Sequence, residues 1–303
     1  MKQIKKILIV IFALVTVVVF FLYGPIDYFR NLWINTAMNT VNYKFLADVF
    51  YSQSTIDKVM KQSFVNNVEN THDDLPPTQY SDKVYYAALG GTTFKGHIIK
   101  IENPKSVNLL VAGNQKGELI EDLIQSNNYL GGINASGYIA EDKRGDVWGY
   151  TVADGKVINR CDRGENQHFV CGMNQNGKLV VGRFDDSELE QSQFLWAVEF
   201  GPVLIVNGKE NEITYTSGGL APRSAIGQTK DGAVLLVVTE GRKLDSLGAT
   251  YKDIQTIMSK NGAVDAFMLD GGSSAGMYYD GKVISCADYG EDTRRIPTCI
   301  AYK

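Results

Sequence analysis

An unbroken apolar run near the N-terminus limits what this chain can fold into more than any other feature. Residues 7–23 contain no charged side chain, and Lys2, Lys5 and Lys6 precede them. A helix of this length and composition matches the hydrocarbon thickness of a bilayer. Basic residues before such a helix favour a cytoplasmic N-terminus. We therefore expect residues 1–23 to form a cytoplasmic tip and a single transmembrane anchor in the cell membrane, with the rest of the chain extracellular.

A cleaved signal peptide is the alternative interpretation of this run. The hydrophobic stretch of a signal peptide is usually shorter and ends in small residues at the cleavage site. Here the run ends with the bulky residues Phe20, Phe21, Leu22 and Tyr23. These residues favour an uncleaved anchor, and both interpretations predict that the bulk of the protein is exported.

The exported part is acidic. The chain has 34 acidic and 30 basic side chains, and the three lysines before the apolar run are the only charged residues up to its end. The remainder therefore carries an excess of negative charge. Because a nucleic-acid-binding surface is normally basic, no nucleic-acid partner is expected.

Four cysteines lie in the exported part as two pairs that are close in sequence, Cys161 with Cys171 and Cys286 with Cys299. Disulfides are permitted outside the cytoplasm. Four cysteines allow three pairings, and four reduced, half-buried thiols are the alternative. The short spacings favour local bridges. None of the cysteines has a histidine at zinc-site spacing, so a structural zinc is not expected.

The segment after the apolar run is predicted to be a helical stalk. Apolar residues recur there near helical spacing, at Leu46, Val49, Phe50, Ile56, Val59 and Met60. Residues 72–77 end in two prolines and interrupt the pattern, which indicates a linker. We therefore expect residues 24–79 to form the stalk and linker, and residues 80–303 to form the main domain.

Tight-turn dipeptides divide this domain into short apolar runs. Asn-Gly and Asp-Gly pairs favour the positive φ angles of hairpin turns, and they occur at residues 154–155, 176–177, 207–208, 231–232 and 280–281. Strands are predicted over residues 98–101, 107–112, 178–181, 203–206 and 233–239. Helices are predicted over residues 118–125 and 250–260, the second capped by Thr250 with Asp253. The expected fold is α+β, a mostly antiparallel sheet core with a few packed helices.

The segment around Asp270 is the strongest candidate for chemistry. An apolar strand ends at this carboxylate, and Gly271, Gly272, Ser273 and Ser274 follow it. The glycines let the backbone approach a ligand closely. The alternative is an ordinary strand-to-turn transition, in which Asp270 hydrogen-bonds to its own loop.

Two further segments bring charged and polar side chains to predicted strand ends. Arg223 follows a proline at the start of one strand, and Glu240 and Arg242 flank a glycine at the end of the next. Asn134 and Tyr138 lie in a glycine-bounded turn. Solvated arginines and a tight corner are the alternative interpretations.

Other catalytic classes find little support in the sequence. His72, His97 and His168 are isolated, which disfavours Ser-His-Asp and Cys-His mechanisms. The sequence contains neither a Walker-type nor a dinucleotide-type glycine loop.

The segments LDGGSS and PRSAIG, together with GGINASGY, FGPVLIVNGK, LLVVTEGR and RRIPTCIAY, resemble the phosphodiester glycosidase domain family. Its mammalian member uncovers mannose 6-phosphate by removing N-acetylglucosamine, and many bacterial relatives are described as exopolysaccharide proteins. The likeness extends from about Ala88 to Tyr302. It implies a site containing Arg223, Asp270 and residues 271–274, together with Asn134, Arg242 and Arg294 or Arg295.

Two departures from the family pattern imply a different substrate choice. Relatives usually have Asn-Gly-Gly where this chain has Asn134-Ala135-Ser136, and Asp-Gly-Arg where it has Glu240-Gly241-Arg242. The first change narrows the predicted pocket wall, and the second lengthens the reach of the carboxylate.

The resemblance predicts a hydrolase that cleaves a sugar-1-phosphodiester of a cell-envelope glycan or glycoconjugate. Arg223 and Arg242 would clamp the phosphate, and Asp270, or alternatively Glu240, would stabilise the cationic sugar centre. No cofactor is expected, although a carboxylate-bound Ca²⁺ is an alternative. A non-catalytic module that binds an anionic glycan is the rival function.

Overall fold

The structure is a computed structural model that describes residues 2–40, 43–63, 69–71, 80–114, 116–138, 146–160, 167–286 and 294–303. Its helices are α1 (Lys2–Tyr23), α2 (Asp27–Met38), α3 (Phe45–Asp48), α4 (Gln53–Ser63), α5 (Ile120–Ser126), α6 (Asp186–Gln191) and α7 (Tyr251–Lys260). The predicted linker over residues 72–77 lies outside these ranges, so the boundary near residue 80 stays a prediction.

The strands follow α4 in the chain. They are β1 (Val84–Gly90), β2 (Lys95–Ile101), β3 (Val107–Val111), β4 (Gly131–Asn134), β5 (Gly137–Tyr138), β6 (Val147–Trp148), β7 (Thr151–Ala153), β8 (Lys156–Asn159), β9 (His168–Asn174), β10 (Leu179–Phe184), β11 (Phe194–Glu199), β12 (Val203–Val206), β13 (Lys209–Glu210), β14 (Arg223–Thr229), β15 (Val234–Thr239), β16 (Ala263–Leu269), β17 (Gly276–Tyr279), β18 (Lys282–Cys286) and β19 (Thr298–Tyr302).

These strands form three larger sheets and one small hairpin. A seven-stranded sheet has the order β1-β2-β15-β14-β16-β12-β13. Two five-stranded sheets have the orders β10-β9-β11-β7-β8 and β18-β17-β4-β19-β3, and β5 pairs with β6. The strand pairs described are antiparallel. The predicted α+β class with a mostly antiparallel core is confirmed.

The three larger sheets share one hydrophobic core. Phe267 comes from the seven-stranded sheet, Trp196 from the sheet around β11, and Ile133 and Ile300 from the sheet around β4. The Trp196 indole N–H also donates to the main-chain carbonyl of Val107, at 3.0 Å, which satisfies the polar atom of this buried ring. The sheets are therefore held together by side chains of all three inner faces.

Helix α7 covers the outer face of the seven-stranded sheet. The Thr250 hydroxyl accepts a hydrogen bond from the Asp253 N–H, and the Asp253 carboxylate accepts one from the Thr250 N–H, which is the predicted capping arrangement. Ile254 and Met258 are buried against Met268 and other residues of the sheet. Burial of side chains of this kind stabilises a fold by about 1.5–3 kcal/mol each.

The predicted tight turns are present. Gly155, Gly177, Gly208, Gly232 and Gly281 all have positive φ. In the pairs at 154–155, 207–208 and 280–281 the preceding Asp or Asn is left-handed as well. Two successive left-handed residues match the twist of antiparallel strands, so these pairs close hairpins.

The N-terminal helices have a small core of their own. Leu22, at the end of α1, packs with Ile34 of α2 and with Ile56 and Val59 of α4. The Tyr51 hydroxyl donates to the Leu22 carbonyl at 2.9 Å. The rest of α1 is exposed, with only 6% of its apolar window buried, so it is not a core helix of the protein.

Helix α2 also contacts the sheet region. The Thr36 hydroxyl accepts a hydrogen bond from the Leu220 N–H at 3.0 Å. At Gly219, φ is +62°, and an added Cβ would lie 2.3 Å from the Thr36 nitrogen. Only glycine leaves room for this approach, so the close packing of α2 on this segment depends on glycine at position 219.

The local disulfides favoured by the cysteine spacing are not formed. Cys171 and Cys299 are free, buried thiols, and burial raises the pKa of both well above its ordinary value. Cys171 belongs to the core shared by the sheets, and Cys299 packs near α5. Cys161 and the side chain of Cys286 lie outside the described part of the chain.

Candidate functional site

The antiparallel arrangement of three central strands brings the candidate segments to one edge of the sheet. Strand β14 lies between β15 and β16, with Arg223 opposite Thr239 and Ser224 opposite Leu269. The start of β14 therefore meets the ends of its two neighbours. Arg223, the turn containing Arg242, and Asp270 consequently lie close together.

These segments line one cavity of about 360 Å³. It brings together most of the predicted site residues: Tyr138, Arg223, Arg242, Asp270, Gly271, Gly272, Ser273, Ser274 and Arg294. Of the described charged residues that line it, three are arginines and one is an aspartate. The cavity therefore suits an anionic ligand.

Asp270 is the one carboxylate that lines the cavity among the residues that the structure describes. Its surroundings raise the pKa of this carboxyl to about 6, because burial disfavours the charged form. Hydrogen bonds from the Ser274 side chain and the Gly271 backbone, and the charge of Arg294, act in the opposite direction. The group therefore changes its charge in a pH range in which proton transfer or nucleophilic attack is useful.

Asn134 lies beneath the cavity and does not line it. Its side-chain NH₂ donates to the Asp270 carbonyl at 2.6 Å. Its side-chain oxygen accepts from the Ser224 hydroxyl at 2.6 Å and from the Gly276 N–H at 3.1 Å. This predicted binding residue thus fixes the backbone that carries Asp270.

Arg223 is buried and already has several partners. Its guanidinium donates to the carbonyls of Ala249 at 3.0 Å and Gly219 at 2.8 Å, and also to that of Gly218. It stacks over the Tyr251 ring, 4.5 Å from the centroid. Burial lowers the pKa of Arg223. The hydrogen bonds to these carbonyls use Nε and Nη2 of Arg223. The Nη1 edge of the guanidinium is therefore the part that can bind a ligand.

Arg242 and Arg294 are more accessible cations. Arg242 is left-handed, with φ of +61°, and nothing in the described part of the chain forms an ion pair or hydrogen bond with its guanidinium. Arg294 donates to the Ser273 hydroxyl at 2.6 Å and stacks over the Tyr138 ring at 4.2 Å. Two guanidinium groups are thus available to an anion.

Glycine is required where the chain passes these arginines. An added Cβ on Gly271 would lie 2.8 Å from the Pro222 carbonyl oxygen. Gly272 has a φ of +59°, and its Cβ would lie 3.3 Å from Arg242 Nη2. The Gly-Gly pair therefore allows the Asp270 turn to approach both the Arg223 segment and Arg242.

Two predicted site residues point elsewhere. Glu240 lies 3.8 Å from the His97 ring and 3.3 Å from the Lys243 ammonium group, and it does not line the cavity. Arg295 donates to the Gly117 carbonyl at 3.3 Å. This placement favours Asp270 over Glu240 as the key carboxylate and Arg294 over Arg295 as the cation.

Several aromatic residues of the cavity wall were not predicted from the sequence. Trp148, Phe200 and Tyr251 line the cavity, as does Asn39, which follows α2. Phe200 precedes a Gly-Pro pair, which is only a weak indication of a functional site. Tyr251 was predicted to lie on the apolar face of a helix. Asn39 gives no sequence signal, because its position depends on how the helices pack.

The described residues contain no group of three or more histidine, cysteine or acidic side chains that could hold a metal ion. The cations at the cavity are arginines.

The family model for phosphodiester glycosidases (NAGPA) matches residues 127–303, which is more than half of the chain. The chain belongs to the phosphodiester glycosidase family. The match includes Asn134, Arg223, Arg242, Asp270 and Arg294. Membership of the phosphodiester glycosidase family supports hydrolysis of a phosphodiester glycosyl linkage.

A curated relative is the SPbeta prophage-derived uncharacterized protein YomE of Bacillus subtilis strain 168. It is 28% identical over 181 residues, which is 57% of this chain and 28% of that protein. The chain thus spans little more than a quarter of the length of this relative.

Three solved structures share the fold of this phosphodiester glycosidase family member. The catalytic domain of zebrafish N-acetylglucosamine-1-phosphodiester alpha-N-acetylglucosaminidase, auto-inhibited by its pro-peptide, has a TM-score of 0.61 at 20% identity, covering 78% of this chain and 88% of that chain. A putative exported protein from Burkholderia pseudomallei has a TM-score of 0.53 at 14% identity, covering 69% and 74%. A hypothetical protein from Synechocystis has a TM-score of 0.54 at 15% identity, covering 75% and 64%.

Proposed function

We propose that this protein is a membrane-anchored extracellular hydrolase that cleaves the C1–O bond of a sugar-1-phosphodiester in a cell-envelope glycan or glycoconjugate. The observation that carries the proposal is the composition of the cavity, whose described lining contains three guanidinium groups and one carboxylate of raised pKa. A phosphodiester has one negative charge, and guanidinium groups bind phosphate oxygens through paired hydrogen bonds.

A single carboxylate is sufficient for this chemistry. Glycosidases normally use two, one of which protonates the leaving group. A phosphate monoester leaves readily without that proton, and Arg242 and Arg294 would stabilise the charge that develops on it. Asp270 would then act on the other side of the sugar carbon, either as the nucleophile or as the base that activates water.

The remaining predicted residues would bind the substrate. Tyr138 presents a ring on which Arg294 already stacks, and Ser273 and Ser274 supply hydroxyl groups beside Asp270. Aromatic walls with a few polar groups are typical of pockets for small ligands. Asn134 would act indirectly, through the Asp270 backbone.

Helix α1 supports the proposed anchoring in the membrane. Its candidate span, Gln3–Tyr23, has 21 residues, or about 30 Å of helix, which is the thickness of a bilayer core. Cleavage at its end would remove Leu22 from the small N-terminal core. The packing therefore favours retention of the helix.

The test is turnover by the full chain in phospholipid nanodiscs. A panel of sugar-1-phosphodiesters, including N-acetylglucosamine-1-phosphodiesters, is incubated with the protein, and free sugar and phosphomonoester are measured. We expect both products in equal amounts, and a loss of roughly 10²- to 10⁴-fold in Asp270→Asn. Absence of product across the panel would refute the proposal, and tight binding without turnover would favour the glycan-binding alternative.

A further inference from the structure

A second cavity adjoins the candidate site. It has a volume of about 240 Å³, which exceeds the ~150 Å³ of an apolar cavity able to hold benzene. Asn39, Phe200 and Tyr251 line both cavities. The two cavities therefore meet at these three side chains.

The walls of the second cavity are mainly apolar. Met60 contributes from α4, and Phe169, Phe200 and Pro202 contribute from the sheet region. In contrast to the first cavity, none of its lining residues in the described part of the chain carries a charge. A charged cavity beside an apolar cavity suits a substrate that has an anionic group next to an apolar group.

One polar atom at this cavity lacks a partner. Asn35 is fully buried, and its side-chain oxygen has no hydrogen-bond partner among the described residues. A buried polar atom without a partner is unfavourable. This oxygen has almost no solvent-accessible surface, so it adds no polar group to the wall that a ligand in the cavity would meet.

The second cavity is built by the helices next to the proposed anchor. Met60 packs against the same small core as Leu22, the residue near the end of α1. The Thr36–Leu220 hydrogen bond fixes α2 to the sheet region. This small core therefore lies between the cavity and the end of the apolar helix. With α1 in the bilayer, the cavity is close to the lipid.

We propose that the second cavity binds the lipid alcohol of the substrate, so that the substrate is a glycosyl phospholipid in which phosphate joins the sugar C1 to an apolar alcohol. This inference rests on the proposed function. In the reaction, a water oxygen bonds to C1 and the C1–O bond breaks, with its electron pair passing to the phosphate oxygen. The products are the free sugar and the lipid phosphate monoester, and the second water proton is shared between that monoester and solvent.

The experiment compares leaving groups while the sugar is held constant. The full chain in nanodiscs receives diesters of methanol, of octanol and of a sugar alcohol. Each buried methylene contributes about fourfold to binding, so kcat/KM for the octyl diester should exceed that for the methyl diester by at least about tenfold. In Met60→Trp, which fills the cavity, this octyl-to-methyl ratio should fall severalfold.

Leu46→Trp is the matched control. Leu46 is a partly buried member of the same helical core but does not line the cavity, so the octyl-to-methyl ratio should stay as in the wild type. A wild-type ratio near one, a preference for the sugar alcohol, or an unchanged ratio in Met60→Trp would overturn the inference and leave the proposed function intact. Failure to hydrolyse any of the diesters would instead remove the proposed function itself.

Discussion

The side-chain amide of Asn134 donates to the main-chain carbonyl of Asp270 across 2.6 Å, although the two residues are 136 positions apart in the chain. The other end of the amide accepts from Ser224 and Gly276. One buried side chain thus ties β4 to the start of β14 and to both ends of the turn that begins with Asp270. The position of the carboxylate is set by this contact as well as by its own strand.

Asn134→Ala should therefore lower both stability and turnover. It leaves a buried carbonyl, hydroxyl and N–H without their partner, and we expect a loss of about 3 kcal/mol in the free energy of unfolding. Urea denaturation measures the loss, and kinetics on the folded fraction should show a fall in kcat larger than the change in KM. Unchanged kcat would show that this amide does not position Asp270.

The acidic limb of the pH–activity profile should report the ionisation of Asp270. Because the carboxylate must be ionised to act, kcat/KM should fall as the pH drops through about 6, the raised pKa of this group. Arg294 lowers that pKa, so Arg294→Gln should move the limb to higher pH. Arg295→Gln is the control, since Arg295 contacts Gly117 instead, and a shift of equal size in that variant would contradict the assignment.

Asp270→Asn should stabilise the protein at neutral pH. Folding raises the pKa of this carboxyl from 3.8 to about 6, so the ionised group destabilises the fold. The penalty is absent below pH 3.8, grows up to about pH 6 and is constant above it. At pH 7 the variant should gain up to about 3 kcal/mol, measured by thermal or urea unfolding, and at pH 3.5 the two proteins should be alike.

Gly219→Ala should loosen α2 from the sheet region. The new Cβ would lie 2.3 Å from the Thr36 nitrogen, and φ is +62°. Gly208→Ala is a matched control, since its φ is +78° but nothing lies within 4 Å of the added atom. Both variants incur a left-handed penalty of about 1 kcal/mol, while only Gly219→Ala should accelerate hydrogen exchange in α2. Equal exchange in the two variants would argue against this contact.

Glu240→Gln should leave kcat/KM within about threefold of the wild type, an effect below 1 kcal/mol. Glu240 faces His97 and Lys243, and it lies outside the cavity lining. A loss as large as that of Asp270→Asn would make Glu240 the key carboxylate after all, and steady-state kinetics on one active diester decides between them.

Local chemistry explains which parts of the fold the sequence predicted. The capping pair Thr250–Asp253 and the Asn-Gly and Asp-Gly turns depend on neighbouring residues, and both occur as predicted. The predicted cysteine bridges failed because short spacing says nothing about burial. Cys171 and Cys299 are on buried strands whose partners are set by sheet pairing between distant segments.

In the candidate site, too, local sequence patterns predicted some residues, and tertiary packing alone places the others. Asp270, Arg223 and Arg242 were recognisable because each is a charged residue at a strand end, and they line one cavity. Trp148, Phe200, Tyr251 and Asn39 come from other elements, and only tertiary packing brings them there. The choice between Arg294 and Arg295 depends on which side of one extended segment faces Tyr138.

Asn39 belongs to the helices beside the proposed anchor, yet it forms part of the wall around the arginines and Asp270. A preparation trimmed to begin near residue 80 would thus have a wider, altered opening, and its rate constants would describe a different catalyst. Sequence changes in the membrane-proximal helices would likewise alter selectivity, which a simple spacer could not do.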